Sequence, residues 1–316
     1  MAGILTLTLN PTVDLSTSAP TVEPGRKLRC AEPVVEPGGG GVNVSRAIKT
    51  LGGESKALIA TAGRTGDMLS TLMQNIGIWP LHVEIPGETR QSFAVIDETS
   101  GEQFRFVMPG PRWDEAHIRA VFDEVAENIG PGDLVVLSGS QPPGVGDDLP
   151  VHLNELARSK GARLIVDTSG PALERLVAGA HSPVQVLRLN EAEAISVAGR
   201  EFVGRMGTTD LATKLVELEV AEVVIIARGA DGSIMASEKG VWHCRPPDVP
   251  VQSKVGAGDS FVAAFTMALL RDEPLPIAHA HGTAAASAAV MTGSTELCRR
   301  EDYTRLVRKC MSLPIT

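Results

Sequence analysis

Apolar residues recur along this chain with two kinds of spacing. Short, nearly unbroken runs at residues 4–9, 56–62, 133–137, 163–166, 184–189 and 222–227 predict β-strands. Between them the apolar positions return every three or four residues. Val44, Ala47, Ile48 and Leu51 share one helical face, and Gly52 predicts its stop. Leu69, Leu72, Met73 and Ile76 mark a helix over 68–76, with Asp67 as its cap and Gly77 as its end. Further helices are predicted over 148–160, around 209–218 and over 261–270. Strands that alternate with helices in this way imply a mostly parallel sheet covered on both faces.

Two segments break the alternation. Residues 27–35 and 93–108 contain strands with no helix between them. Thr99-Ser100-Gly101 reads as a hairpin turn between strands at 93–97 and 103–108. Together they predict a small antiparallel sheet projecting from the main body. Lys27, Arg29 and Arg90 cluster there, which favours a lid over a site against functionless surface hairpins. Its strands also carry Phe93, Val95, Phe104 and Phe106, an apolar set that needs cover.

Composition narrows the class. The 316 residues are 43% hydrophobic and 21% charged, enough for one large α/β domain. A net charge of −9 and the lack of any basic tract argue against a nucleic-acid partner. The cysteines, Cys30, Cys244, Cys298 and Cys310, are scattered and form no CxxC, as expected of thiols in a reducing cytoplasm. No basic segment followed by an apolar core opens the chain, so no signal peptide is expected. No apolar run reaches the roughly 18 residues that would suggest a membrane partner.

The chemistry concentrates in Val255-Gly256-Ala257-Gly258-Asp259-Ser260, just ahead of the helix over 261–270. The glycines let the backbone turn and present successive N–H groups at a positive helix N-terminus, a ready anion site. A carboxylate beside an anion site suggests a base that takes a proton from an attacking hydroxyl, hence phosphoryl transfer to an alcohol. Gly38-Gly39-Gly40-Gly41 precedes Val42-Asn43. It would admit a polar ligand such as a sugar to the backbone, with Asn43 on its hydroxyls; a plain flexible loop is the alternative. Asp14 follows the first strand, where ligands of open α/β sheets bind, or it caps a turn.

Asn190 and Glu193 lie three residues apart after the strand 184–189. They could hold a hydrated Mg²⁺, which takes few carboxylates, or simply cap an acidic helix start. The stretch from Ala227 through Arg228 and Gly229 to Gly232 serves a nucleotide site or a hairpin connection. HExxH, GxSxG and the P-loop pattern are absent.

Taken together these residues resemble the PfkB, or ribokinase-like, family of sugar kinases, over essentially the whole chain. Residues 38–53 and 255–265 resemble its two signatures, and Asn190 with Glu193 its Asn-x-x-Glu motif. Residues 27–30, 36–43 and 101–110 resemble the phosphofructokinase branch. The resemblance implies a single three-layer α/β sandwich over 1–316, with a mostly parallel central sheet. It also implies a β-sheet lid from about 15–37 and 88–110, which often serves a homodimer.

It implies Asp259 as base and the backbone of Gly256, Ala257 and Gly258 as anion hole. Asp14, Gly39, Gly40 and Asn43 would meet the sugar, and Arg90, Ser140 and Lys27 its phosphate. Arg188, Asn190, Ala227, Arg228, Gly229, Gly232, Gly256 and Gly258 would meet ATP, and Glu193 a Mg²⁺ through water. The implied reaction is phosphorylation of fructose 6-phosphate at C1, with fructose 1-phosphate and tagatose 6-phosphate as alternative substrates. A non-catalytic sugar-phosphate-binding regulator would be expected to lose Asp259 or the glycines, and both are present.

Two departures stand out. Arg188-Leu189-Asn190 replaces the family's Lys-Pro-Asn. Lys254, and Glu296 in the loop 292–296, stand where related enzymes hold a monovalent cation. Lys254 could form an internal ion pair with Glu296 in its place, which would argue against a monovalent-cation requirement, or it points to solvent.

Overall fold

The computed structural model describes residues 2–179, 181–202, 204–293 and 296–315. Ten strands form one sheet. Across it, β5 (Leu81–Glu84), β4 (Lys56–Thr61), β1 (Ile4–Thr8), β8 (Leu134–Ser138), β9 (Arg163–Asp167), β10 (Val184–Leu189) and β11 (Ala221–Ala227) run parallel. β12 (Ser233–Ser237), β13 (Gly240–Cys244) and β14 (Ser312–Pro314) extend it antiparallel.

Helices cover both faces, which is why the central strands are apolar on both sides. α3 (Glu115–Asn128), α4 (Leu149–Ser159), α5 (Pro171–Val177), α6 (Glu191–Ala198) and α7 (Gly204–Glu217) pack on one face, against Leu7, Leu137, Val166 and Leu187. α1 (Gly40–Thr50), α8 (Ala257–Leu270), α9 (Leu275–Ala289) and α10 (Arg300–Val307) cover the other, against Val136, Ile165 and Val186. α2 (Gly63–Asn75) closes a smaller core with Val13, Val42 and Ile59. The three-layer sandwich expected from the alternation is present. No helix among the described residues is long and apolar enough to cross a membrane.

The small sheet has the order β3 (Val34–Gly38), β2 (Thr12–Ala19), β6 (Arg90–Asp97), β7 (Gln103–Val107). It is mixed rather than antiparallel, because β2 and β6 run parallel. Its hairpin turn is as read: the Asp97 carboxylate accepts from the Thr99 and Ser100 N–H groups, and Gly101 turns at φ 73°. Phe93 faces Phe106 and Val95 faces Phe104 across the ladder, so the four share one face. Phe93, Val95 and Phe104 are half-buried, while Phe106 is 50% exposed.

Several boundaries differ from the sequence reading. β3 begins only at Val34, and residues 27–33 form no strand and lie exposed. β2 begins at Thr12, ahead of the lid span expected from about residue 15, and pairs with β3 and with β6, far along the chain. α2 begins at Gly63, so Asp67 lies inside it and Ala62 is its N-cap. α7 starts at Gly204, ahead of the predicted start.

Candidate active site

The parallel strands all end at one edge of the sheet, where ligands of open α/β sheets bind. In spatial order this edge carries Asn10 after β1, Ser140 after β8, Asp167 on β9, Asn190 after β10 and Arg228 after β11. Four strand steps separate β1 from β11. At about 4.8 Å per step that edge spans roughly 19 Å. The N-termini of α1 and α8 start at the same edge, where Asn43 meets Asp259.

Asp259 lies in the first turn of α8. Its Oδ2 accepts a hydrogen bond from Asn43 Nδ2 at 3.0 Å. Burial, and then the charge of Asp167, push its carboxyl up to about 7, against the Asn43 hydrogen bond and the cations Arg188 and Arg46. A carboxyl poised at neutral pH suits a general base. Gly256 caps α8 at φ 74°, a left-handed conformation that favours glycine. Ala257 and Gly258 follow in the first turn, so unpaired N–H groups are presented beside the Asp259 carboxyl. The Arg188 guanidinium lies against Gly258: a Cβ there would fall 2.8 Å from Nη1.

On the β1 side the structure brings Asp14 and Arg90 together. Asp14 sits on β2, inside the small sheet, rather than just past the end of the first strand. Burial raises its carboxyl pKa, opposed by a hydrogen bond from Thr12 and by Arg90, Arg105 and Arg46. Arg90 donates from Nε to the Asn10 carbonyl at 3.1 Å, and Asn10 Nδ2 donates to Ser140 Oγ at 3.2 Å. Asp14, Ser92 and Arg105 border a cleft whose opposite wall is Val255. The small sheet thus stands over the loop that leads into α8. Lys27 lies in the exposed segment before β3.

The glycine run is packed rather than open. A Cβ on Gly38 would fall 2.0 Å from Asp14 Oδ2, one on Gly40 2.5 Å from the Ser138 carbonyl carbon, and one on Gly41 2.7 Å from the Leu7 carbonyl oxygen. Gly39 caps α1 at φ 107°. These glycines bring α1 onto β1 and β8. The run is therefore not the flexible loop of the alternative reading, and at Gly40 the missing Cβ makes room for Ser138.

On the β10 side, Arg188 Nη1 donates to Asp167 Oδ1 at 3.1 Å in a buried ion pair. Asn190 and Glu193 form a reciprocal capping box, with Asn190 N–H to Glu193 Oε2 at 2.8 Å and Glu193 N–H to Asn190 Oδ1 at 2.9 Å. The capped helix start is therefore present, and it stands at the carboxyl edge of the sheet. Burial, the largest effect, raises the Glu193 pKa, and Asp167 adds to it. This excess of negative charge and oxygen donors fits a hard divalent cation such as Mg²⁺. Among the described residues no cluster of three or more acidic, His or Cys side chains forms a cage.

Ala227 through Gly232 is the turn between the antiparallel strands β11 and β12, as the hairpin alternative held. The Arg228 guanidinium is engaged by Asp231, at 2.9 Å from Nε, and by Thr208. A Cβ on Gly232 would fall 2.0 Å from the Cys244 carbonyl oxygen, so this glycine too serves packing. Arg228 is thus a brace of its own turn, and Ala227 and Gly229 remain the candidates there for backbone contact.

The Lys254–Glu296 pair is not formed. Lys254 is exposed, and Glu296 holds Arg299 through both oxygens, at 2.7 and 2.8 Å. An arginine three residues away on the same loop outcompetes a distant lysine. Ser294 and Thr295 of that loop lie outside the described residues.

Sequence reasoning missed three charged residues. Asp167 ends a buried apolar strand at the site edge, a signal that was available. Arg46 follows Asn43 by three residues on one helical face, and this too could have been read. Arg105 depends on the register of β7 and could not.

Comparison with known proteins agrees with this geometry. The pfkB family carbohydrate kinase profile matches residues 3–302. The chain is 38% identical over 306 residues to the ATP-dependent 6-phosphofructokinase isozyme 2 of Escherichia coli (strain K12), covering 97% of this chain and 98% of that protein. It is 30% identical over 304 residues to the 1-phosphofructokinase of Bacillus subtilis (strain 168), covering 96% and 97%. The crystal structure of the phosphofructokinase-2 from Escherichia coli in complex with fructose-6-phosphate superposes with a TM-score of 0.91 at 36% identity, covering 98% and 99%.

Proposed function

The chain belongs to the pfkB family of carbohydrate kinases, and on that premise we propose that it transfers the γ-phosphoryl group of ATP to the C1 hydroxyl of fructose 6-phosphate. The observation that carries this reading is Asp259: a buried carboxyl with pKa about 7 in the first turn of α8, beside unpaired backbone N–H groups. Its carboxylate takes the C1 hydroxyl proton as the oxygen attacks the γ-phosphorus. The new P–O bond forms opposite the bond to ADP, which breaks and leaves with its electron pair. The N–H groups after Gly256 and the Arg188 guanidinium face the phosphoryl oxygens, where charge is spread in the transition state. Glu193 would hold Mg²⁺ through water, and the ion would neutralise charge on the nucleotide phosphates.

The sugar lies along the β1 side, with Asp14 and Asn43 on its hydroxyls beside the backbone of Gly39 and Gly40. Arg90, with Ser140 and Lys27, receives the 6-phosphate. Arg suits a multi-oxygen anion. Arg90→Ala should raise KM for the sugar phosphate by roughly 10–100-fold, the equivalent of one charged hydrogen-bonded contact, and leave KM for ATP nearly unchanged. Equal effects on both substrates would remove this role.

The substrate is tested by ADP formation with fructose 6-phosphate, fructose 1-phosphate and tagatose 6-phosphate, each at saturating Mg-ATP. The highest kcat/KM is expected on fructose 6-phosphate. A clear preference for fructose 1-phosphate would instead support the second reading, favoured by the 30% identity to a 1-phosphofructokinase. Sugar-phosphate binding with no ADP formation would indicate a regulator.

The small sheet is the lid of this reading and the interface of a homodimer. Val34, Phe106 and Val107 are at least half exposed on it, more apolar surface than a solvated edge usually leaves open. Light scattering should give a dimer at micromolar concentration, and a fully active monomer would overturn the interface. The four cysteines are free thiols in the structure, in keeping with a reducing cytoplasm as the site of action.

A further inference from the structure

We infer that Arg46 is a positioning residue for the catalytic base: it sets the orientation of the Asn43 amide and ties that amide to the lid strand β3. The inference rests on the reading of Asp259 as base.

An asparagine amide has an accepting and a donating end, and only one orientation supports a carboxylate. Asn43 lies between a guanidinium and a carboxylate. Arg46 Nη1 donates to Asn43 Oδ1 at 3.1 Å, and Asn43 Nδ2 donates to Asp259 Oδ2 at 3.0 Å. Reversing the amide would set its NH₂ against the guanidinium and its oxygen against the Asp259 carboxylate, two repulsive contacts in place of two attractive ones. Arginine has donors only, so it reserves Oδ1 at every pH. The base thereby receives its hydrogen bond in one fixed geometry.

The same guanidinium reaches the lid. Nη1 also donates to the Pro37 carbonyl at 2.9 Å, and Nη2 pairs with Glu36 Oε1 at 2.5 Å. Both side chains of that ion pair are largely buried, 12% and 21% exposed. Glu36 and Pro37 belong to β3, and Glu36 lies opposite Asp14 in the ladder with β2. One side chain therefore joins the strand beside the sugar carboxylate to the partner of the base. A lysine would keep the charge but lose the planar fork that serves these acceptors together.

The charged groups facing Asp259 are Asp167 on β9, Arg188 on β10 and Arg46 on α1. Removing Arg46 takes away one of the two cations, so the carboxyl should hold its proton to higher pH.

The test uses the full-length enzyme with Arg46→Met, Arg46→Lys, Asn43→Ala, the Arg46→Met/Asn43→Ala double variant and Asp259→Asn. Kinetics with both substrates, pH profiles of kcat/KM and melting curves are measured for each. Arg46→Met should lower kcat by about 10²-fold, the scale of a misplaced catalytic group, with little change in KM for ATP. The acid limb of its pH profile should move to higher pH. Arg46→Lys should restore part of the limb position but less of kcat. In the Asn43→Ala background, the kcat loss from Arg46→Met should largely vanish.

An undiminished kcat loss in that background, or an unmoved acid limb, would overturn the inference. Should Arg46→Met fail to fold, Arg46→Lys and Glu36→Gln carry the same comparison of kcat against KM. Asp259→Asn separates the two levels. Near wild-type turnover there removes the base itself. An inactive Asp259→Asn with a fully active Arg46→Met removes only the positioning role.

Discussion

Two helices of this molecule begin on glycine at the same edge of the sheet, and they use it for opposite ends. At α1, Gly39 caps the helix at φ 107°, and Gly40 and Gly41 then lie so close to β8 and β1 that a methyl group would meet backbone atoms at 2.5 and 2.7 Å. At α8, Gly256 caps at φ 74°, and the space beside Gly258 is taken by the end of an arginine side chain. The first set of glycines joins a helix to a sheet. The second lets the Arg188 guanidinium lie against a helix N-terminus, where the proposed function puts a charged ligand. In the chain the two stretches look alike, so a glycine-rich helix start is evidence of close approach but not of what approaches.

The comparison breaks most sharply at Asp259. Asp259→Asn should lower kcat by about 10²–10⁴-fold, as loss of a general base does, with melting temperature and sugar-phosphate binding nearly unchanged. A variant with near wild-type kcat would end the assignment of α8 as the catalytic helix.

Gly41→Ala should show the converse. The added methyl group meets Thr8 Oγ1 and the Leu7 carbonyl, which belong to the buried strand β1 and cannot step aside. Overpacking of this kind costs about 1–3 kcal/mol. Chemical denaturation should show that loss, while the folded fraction keeps a kcat within a few-fold of wild type. Unchanged stability would mean that α1 tolerates a methyl and that its glycines serve a ligand after all.

Gly258→Ala tests the other side of the contrast. Its methyl group must push the Arg188 guanidinium, a flexible side-chain end, so the fold should survive. About a tenfold loss of kcat is expected from a displaced charge at the phosphoryl group, less than a lost oxyanion donor costs. A stability loss as large as that of Gly41→Ala would erase the distinction between the two helix starts.

The smallest effect is in the pH profile. Asp259 acts as its carboxylate, and burial together with Asp167 raises its pKa to about 7. Activity should therefore fall as pH drops through about 7 and reach a plateau above it. The sign for stability is the reverse. A carboxyl with a raised folded pKa binds its proton more tightly when folded, so this group's contribution is present at low pH and is lost as pH rises toward 7. An acid limb near the ordinary carboxylate value would show that Asp259 is more solvated than the fold makes it.

Where a site residue depends on its own neighbours in the chain, the sequence was enough to find it. The Gly-Ala-Gly-Asp start of α8, the face of α1 that carries Asn43 and the reciprocal cap of Asn190 and Glu193 follow from spacing alone. The last of these is the capped helix start that one of its sequence readings held, and it stands at the sheet edge. Asp14 was read as lying past the first strand, and not on a strand of its own, because β2 is held by its pairing with β3 and with β6, far along the chain. At Arg228 and Lys254 spacing could not rank competing partners. Asp231 engages the first, and Arg299 keeps Glu296 from the second.

The chain by itself determined the α/β sandwich and its alternation of strand and helix, and it pointed to Asp259 as the candidate base, since these rest on periodicity, backbone freedom and side-chain chemistry within a few residues. Only the tertiary structure decided the protonation of Asp259, the orientation of Asn43 and the packing role of the α1 glycines. Each depends on desolvation and on charges brought from elsewhere: Asn43 reaches Asp259 across 216 residues of chain. Such energies act through space in a medium of low polarity, and no local pattern encodes them.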